Sequence, residues 1–294
     1  MTTAIGSSLE ERFGPLVLRH DKPLSAMWQA CGGEAVLKVY RLIDPLERRN
    51  REAHALTLAR GWGVPTPAVR AAGEMDGLCW LLVDTVSGVV SHDNLRTGVR
   101  AFVQRTLWLT GTLGSRPALG GPGDGWLRMR NGDVTNSGAM LNQLSARCRS
   151  AAWWPALREA LSDLDDEECV HLHGDIKPEH FLSSVRQQVS VVDWEAAACG
   201  PAVCDRVDAV FHIVRDLVYA RVHPLPLDVI GQLPVTGPIA VWRLLRWLDR
   251  RRCDDLSLIS AEDLRELMSS SEPTSVLRHL ARMITHLRDA GVPR

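Results

Sequence analysis

The chain has 294 residues, of which 45% are hydrophobic and 23% are charged, so general disorder is excluded and one large domain or two packed lobes are expected. A formal net charge of −1 without a long basic block argues against nucleic acid or an anionic membrane as partner. The seven cysteines form no CxxC pair and are typical of reduced thiols. Without a signal-peptide pattern or a membrane-spanning apolar run, we expect a cytoplasmic protein.

The first part of the chain predicts strands interrupted by one helix. Residues 34–40 alternate, which places Lys38 on one face of a strand and Leu37 on the other. Pro45 suits the start of a helix that runs to about residue 60, where glycines end it. Residues 79–83 are apolar enough for a buried strand. A small β-rich region is therefore expected at the N-terminal end.

Beyond Gly88, which we take as the boundary between two lobes, the pattern turns helical. The lobes are residues 1–87, expected to bind a nucleotide, and residues 88–294, expected to carry the catalytic loop and the acceptor. Helices are predicted at 95–113, 154–164, 202–222, 239–251, 261–268 and 275–289. The glycine-rich segment 115–136 is predicted to be a surface loop. The fold class is therefore α+β, with a larger, mainly helical C-terminal part.

Two carboxylates carry the strongest chemical signal. Asp175 lies in the polar turn His171–His180, where a carboxylate can accept a hydrogen bond from an attacking hydroxyl. Asp193 follows the predicted strand 189–192 and can hold magnesium against nucleotide phosphates. Phosphoryl transfer needs charge neutralisation and an oriented hydroxyl more than covalent participation. The pair therefore predicts a phosphotransferase.

Lys38 is the candidate for contacting the phosphates that are not transferred. A glutamate on the following helix would hold its ammonium in position, and Glu52 is chosen over Glu47 because it lies nearer the middle of that helix. A strand lysine is often only solvated, but the following helix with its glutamate favours the functional interpretation.

Seven short segments, taken in order, resemble the aminoglycoside phosphotransferase family, the small-molecule branch of the protein-kinase-like fold. They are Val36–Lys38, Arg51–Leu56, Gly63–Pro67, Leu81–Gly88, His173–Asp175, Val192–Glu195 and Gly200-Pro201 with Asp205. The resemblance implies a bilobal fold with ATP between the lobes and Mg²⁺ as the metal. It also implies that adenine contacts the backbone of Asp84 to Val86 and that Asp205 is a buried anchor beneath the catalytic loop.

Three departures from the family pattern affect what is expected. The strand-turn-strand near Leu24–Trp28 contains no glycine-rich loop over the phosphates. His180 stands where the family has an asparagine metal ligand, so we expect it either to coordinate through nitrogen, with Mn²⁺ tolerated, or to leave a single-metal site. Lys177 stands two residues after Asp175, as in protein Ser/Thr kinases, and is expected to stabilise the transferred phosphate.

The leading hypothesis is an ATP-dependent kinase acting on a hydroxyl of a small molecule of the aminoglycoside, amino-sugar or related antibiotic type. Lys177 keeps open a second acceptor, a Ser or Thr in a protein or ribosomally made peptide, with a partner enzyme that eliminates the phosphate. His180 and the missing glycine loop keep open a third hypothesis, a pseudokinase that binds a nucleotide or a partner without catalysis.

Overall fold

The computed structural model describes residues 7–90, 95–116, 136–184, 188–250 and 256–294. The chain divides into two compact units, Met1–Val89 with Leu182–Ala196 and Val90–Phe181 with Ala197–Arg294. The first unit thus ends near the expected boundary and also takes up a later segment, the one that contains Asp193. Most of the predicted loop 115–136 lies outside the described residues.

The first unit is built on a five-stranded antiparallel sheet with the strand order β1-β2-β3-β5-β4. Its strands are β1 (Val17–Asp21), β2 (Ser25–Ala30), β3 (Ala35–Tyr40), β4 (Val69–Met75) and β5 (Leu78–Asp84), and its helices are α1 (Ser7–Phe13) and α2 (Pro45–Gly61). A three-stranded sheet of order β6-β8-β9 pairs the end of the N-terminal segment of this unit with its later segment, the one that contains Asp193. Its strands are β6 (Val89–Val90), β8 (Phe181–Ser183) and β9 (Val189–Val191).

Strand β3 lies at the centre of the large sheet, and its alternation decides what each face contacts. Leu37 belongs to a core in which Leu9 and Phe13 of α1 pack beside Trp80 of β5. The Phe13 and Trp80 rings meet edge to face, with 4.9 Å between their centroids. Lys38 faces the other way, so the predicted division between the two faces of this strand is confirmed. A sheet with apolar contacts on one face leaves the opposite face for a polar site.

The strand-turn-strand predicted near Leu24–Trp28 consists of β1, a turn at residues 22–24 and β2. The Lys22 N–H donates to the Ser25 carbonyl at 3.0 Å and closes this turn. The alternating burial of Ser25–Ala30 suits a strand.

Helix α2 buries charge as well as apolar surface. Pro45 occupies its first turn, and Gly63 after its end has φ of 84°, so the predicted start and stop signals are confirmed. Its buried residues are Arg48, Arg51, Glu52, Ala55, Leu56 and Ala59. Buried charges are stable only when they are paired, so this helix must meet ionic partners on its inner face.

The second unit is mainly helical. Its helices are α3 (Leu95–Gly114), α4 (Ser137–Asn142), α5 (Ala146–Arg149), α6 (Trp154–Ser162), α7 (Val203–Tyr219), α8 (Leu227–Ile230), α9 (Gly237–Arg250), α10 (Ala261–Ser269) and α11 (Pro273–Asp289). An antiparallel pair, β7 (Cys169–Leu172) with β10 (Ala198–Pro201), completes it. The six predicted helices are all present, although α6 ends two residues early and a short 3-10 turn follows.

Helix α7 is the centre of this unit and packs against α3, α9 and α11. Almost all of its side chains are buried, including five charged or polar ones that belong to the site described below or to its surroundings. The predicted apolar stripe of α9, which contains Val241 and Leu248, is buried as expected. Among the helices that the structure describes, none combines the length and apolar character needed to cross a bilayer.

Candidate active site

Lys38 lies at the centre of a carboxylate cluster in the first unit. Its side chain is 8% exposed, and its Nζ lies 2.7 Å from Glu52 Oε2, 2.8 Å from Asp193 Oδ1 and 3.0 Å from Glu195 Oε2. Glu47, the alternative partner considered from sequence, pairs with Arg51 instead. An ammonium group carries three N–H donors, so three carboxylates match its full capacity.

The charges in this cluster explain the direction of each pKa shift. Burial works to lower the pKa of Lys38, but attraction to Asp193, Glu52 and Glu195 outweighs it and holds this pKa well above the ordinary value. Burial raises the pKa of Glu52, and the neighbouring Asp193 and Glu195 add to this effect, while Lys38 opposes it. One cation thus serves three anions, so Lys38 stays charged while Glu52 binds a proton more readily than usual.

Side chains on α2 and β3 complete the cluster. The Tyr40 hydroxyl donates to Glu52 Oε2 at 2.6 Å. Arg48 donates to the Glu195 carboxylate at 3.0 Å, and Arg51 donates to the Glu195 backbone carbonyl at 3.2 Å. Glu195 ends the sequence motif Val192–Glu195, but no role was predicted for it. The buried arginines share one helical face with Glu52, and this spacing is the signal that could have indicated a further acidic partner.

Asp193 follows β9 in a backbone conformation that most residues avoid, with φ of 65°. Trp194, fully buried, donates its indole N–H to the Val191 carbonyl at 3.1 Å and fixes this turn. Among the described residues, the ligand atoms of Glu52, Asp193 and Glu195 lie within 4.8 Å of one another. Carboxylate oxygens are the ligands that Mg²⁺ prefers, so the donor set fits this ion.

The loop that carries Asp175 is held by Asp205 of α7. The two carboxylate oxygens of Asp205 accept the N–H groups of His173 at 2.7 Å and Gly174 at 2.8 Å. Gly174 has φ of 78°, a conformation that glycine adopts easily. Asp205 is 1% exposed, so its expected place as a buried anchor is confirmed. Burial raises the pKa of Asp205 to about 7, although the two backbone N–H groups oppose the shift.

Asp175 lies beside two basic side chains of the second unit. Lys177 Nζ is 3.0 Å from Asp175 Oδ2, and His212 Nε2 of α7 is 3.4 Å from Asp175 Oδ1. Burial works to raise the pKa of Asp175, but His212, Lys177 and His180 together hold it well below the ordinary value. Asp175 is therefore an ionised acceptor at neutral pH, as a group that orients a hydroxyl must be.

His212 was not predicted from the sequence. Burial lowers its pKa to about 4, so the ring is uncharged at neutral pH. His212 Nε2 lies 3.0 Å from a guanidinium nitrogen of Arg243 on α9, and Arg243 also pairs with Asp208. Because the His212 ring is uncharged, Lys177 at 3.0 Å supplies the positive charge beside Asp175.

His180, the predicted nitrogen ligand, is buried and lies next to the same loop. Its Nδ1 is 2.8 Å from the Asp175 carbonyl oxygen, which can only accept, so Nδ1 carries the hydrogen. Nε2 then carries the lone pair of the neutral ring. Histidine metal ligands commonly have this arrangement, in which the other nitrogen donates to a carbonyl. Its ligand role stays a prediction.

The segment predicted to contact adenine follows β5. The Asp84 carboxylate accepts from Arg70 Nε at 2.6 Å, which ties its side chain to β4. The Asp84 N–H donates to the Ala68 carbonyl and the Thr85 N–H donates to the Glu34 carbonyl. Within the described residues, the Val86 N–H meets no backbone acceptor. A base-binding role would therefore use backbone groups from Val86 rather than the Asp84 side chain.

The fold is similar to that of solved aminoglycoside phosphotransferases. A thermostable mutant of APH(4)-Ia, in a ternary complex with ADP and hygromycin B, has a TM-score of 0.60 and 16% identity, over 96% of this chain and 99% of that one. APH(2'')-IIIa in complex with GDP and kanamycin has a TM-score of 0.55 and 16% identity, over 92% and 94% of the two chains. A third is a putative aminoglycoside phosphotransferase from Ralstonia eutropha, with a TM-score of 0.52, 16% identity and coverage of 94% and 96%.

The β-rich sheet and the mainly helical remainder thus define a kinase-like fold of the phosphotransferase type. A model of the phosphotransferase enzyme family matches residues 27–222, about two thirds of the sequence, and the chain belongs to that family. The match includes both the Lys38 cluster and the Asp175 loop. A sequence comparison with curated proteins finds no match.

Proposed function

We propose that the protein is an ATP- and Mg²⁺-dependent kinase that transfers the γ-phosphoryl group to a hydroxyl of a small molecule of the aminoglycoside, amino-sugar or related antibiotic type. The observation that carries this proposal is the cluster in which Lys38 contacts Glu52 and Asp193, three residues from separate segments of the chain. A buried ammonium held by a glutamate beside a carboxylate is the arrangement with which kinases bind nucleotide phosphates and metal.

Each group has an assigned role. Lys38, held by Glu52, binds the phosphates that stay on the nucleotide, and backbone groups from Asp84 to Val86 bind the base. Asp193 holds Mg²⁺, and His180 is a candidate second ligand. Asp175 accepts the hydrogen bond of the acceptor hydroxyl. The first unit accordingly binds the nucleotide and the second binds the acceptor. Each described cysteine is a free thiol, which supports the cytoplasmic location where ATP is available.

Turnover with a panel of hydroxyl compounds tests this proposal. Release of ADP from Mg·ATP is measured with aminoglycosides, amino sugars and related antibiotics, and transfer is checked with γ-labelled ATP. We expect Asp175→Asn to lower turnover by roughly 10²- to 10⁴-fold while the dissociation constant for ATP changes little, because loss of a positioned base affects the chemical step. Asp228→Asn is the matched control, since Asp228 is exposed on α8 and outside the loop. Retained turnover in Asp175→Asn would remove this residue from the mechanism.

A second acceptor class has one observation in its favour. Lys177 Nζ lies 3.0 Å from Asp175 Oδ2, which supports a role in contacting a phosphate transferred beside this carboxylate, as expected of a lysine two residues after the catalytic aspartate of protein Ser/Thr kinases. The acceptor would then be a Ser or Thr hydroxyl of a protein or ribosomally made peptide, with a partner enzyme that eliminates the phosphate. Candidate peptides in the same labelling assay separate the two classes. Nucleotide binding without transfer to any acceptor would instead favour a pseudokinase.

A further inference from the structure

We propose that Glu195 is a displaceable counter-ion of Lys38, which competes with nucleotide phosphates for this ammonium, and that Arg48 retains Glu195 when a nucleotide takes its place. This inference rests on the proposed binding of ATP by the first unit. It assigns roles to two residues, Glu195 and Arg48, that act by positioning Lys38 and not by touching the reacting atoms.

The first step of the argument is the saturation of Lys38. Its Nζ donates hydrogen bonds to Glu52 and Asp193 and lies 3.0 Å from Glu195 Oε2, so carboxylate oxygens surround the ammonium group. A phosphate oxygen that approaches Lys38 must therefore replace at least one carboxylate. Binding of a phosphate to Lys38 is therefore an exchange of anions around one cation.

The second step identifies which carboxylate can leave. Glu52 has a side-chain exposure of only 7% and also accepts from Tyr40, so its place is fixed. Asp193 is 34% exposed and is the proposed Mg²⁺ ligand, whereas Glu195 is 28% exposed and makes the longest of the three contacts to Lys38. The same oxygen, Oε2, lies 3.0 Å from both Lys38 Nζ and Arg48. Because Arg48 already shares this carboxylate, Glu195 can lose Lys38 without being left unpaired.

The third step concerns Arg48, which is held independently of Lys38. Its side chain is 2% exposed, and its NH1 group donates to the Leu24 carbonyl at 2.8 Å and the Arg41 carbonyl at 3.3 Å. These carbonyls lie at the start of β2 and the end of β3, so the guanidinium position is set by the sheet. The backbone of the sheet therefore fixes the position of Arg48, whereas Lys38 is shared among three carboxylates.

The decisive measurement is the dissociation constant of Mg·ADP, determined by calorimetric titration of the purified chain. In Glu195→Gln the amide keeps the size of the side chain and loses its charge, so we expect binding to become roughly fivefold tighter, the effect of one partly exposed ion pair. Glu74→Gln is the matched control because it removes an exposed carboxylate from the same unit, and it should leave the constant unchanged.

The complementary variant is Arg48→Gln, in which Glu195 loses its arginine partner and keeps its ion pair with Lys38. We expect binding roughly fivefold weaker than in the wild type, and the double variant with Glu195→Gln should recover the tighter binding. A thermal melt of each protein verifies folding, and the comparison of Glu195→Gln with wild type carries the test if Arg48→Gln does not fold. Recovery in the double variant is an effect that a merely structural role of Arg48 would not produce.

The outcomes separate this inference from the proposed function. If the wild-type chain binds no nucleotide, the proposed function is wrong. If it binds Mg·ADP but Glu195→Gln leaves the constant unchanged, Glu195 does not compete and the inference is wrong. If Glu195→Gln weakens binding and abolishes its dependence on Mg²⁺, then Glu195 is a metal ligand, which also overturns the inference.

Discussion

Replacing Lys38 with methionine tests how far the first unit depends on one buried cation. The substitution keeps an unbranched side chain of similar length and removes the only charge that faces all three carboxylates of the cluster. Removing one partner of a buried ion pair costs about 3–5 kcal/mol, because the other partner is left uncompensated. Since 1 kcal/mol corresponds to a shift of about 2–4 °C for chains of this size class, we expect the melting temperature to fall by roughly 10 °C at neutral pH.

The pH dependence of this loss follows from the direction of the pKa shifts. The pKa of Glu52 is already raised by burial, and without Lys38 it rises further. An acid with a raised folded-state pKa stabilises the fold below its unfolded pKa and loses that contribution as pH rises. Lys38→Met should therefore be at least about 1 kcal/mol less destabilising at pH 5 than at pH 8.

Chemical denaturation at both pH values, monitored by tryptophan fluorescence, measures this difference. Lys22→Met is the control, because Lys22 is exposed and such a change should alter stability by no more than about 0.5 kcal/mol. Combining Lys38→Met with Glu52→Gln should restore part of the loss, since one uncompensated carboxylate is then removed. A loss below about 1 kcal/mol, or one that is equal at pH 5 and pH 8, would refute the reasoning.

Three further predictions concern other parts of the chain. Asp205→Asn should lower the free energy of unfolding by about 2 kcal/mol, because one of the two loop amides loses its acceptor, and a denaturant midpoint equal to wild type would contradict this. If His180 coordinates metal, His180→Asn should raise activation by Mg²⁺ relative to Mn²⁺, whereas identical metal profiles would count against a ligand role. Gly237→Ala should lower the free energy of unfolding by at least about 2 kcal/mol, because the added methyl group meets the Leu267 carbonyl. Gly111→Ala, in the open interior of α3, should leave this free energy unchanged or raise it by up to about 1 kcal/mol. Equal melting temperatures of the two variants would argue against both predictions.

The local patterns of the sequence determined more of the fold than of the site. Alternation over residues 34–40 was sufficient to place Lys38 opposite the apolar face of β3, because a strand sends successive side chains to opposite faces. Pro45 and Gly63 marked the ends of α2, since both act through local backbone geometry. Family membership also came from residues along the chain, through the match to residues 27–222.

The loop motif was predicted only in part. Asp175 was identified from its motif and Asp205 from the family resemblance, and the hydrogen bonds of Asp205 to the His173 and Gly174 N–H groups agree with its place as an anchor. His212 was missed because it lies on α7 among apolar residues, where nothing in the local pattern distinguishes it from an ordinary buried helix position. Only the packing of α9 beside α7 brings Arg243 to its ring.

The sequence by itself predicted the two carboxylates, Asp175 and Asp193, as well as the strand lysine, its glutamate partner and the family. Only the tertiary structure decided that Lys38 has three anionic partners and that Glu195 is shared with Arg48, residues 147 positions apart in the chain. The physical reason is that propensity and periodicity depend on neighbouring residues, whereas the pairing of buried charges depends on which distant segments fold against the same face of the sheet.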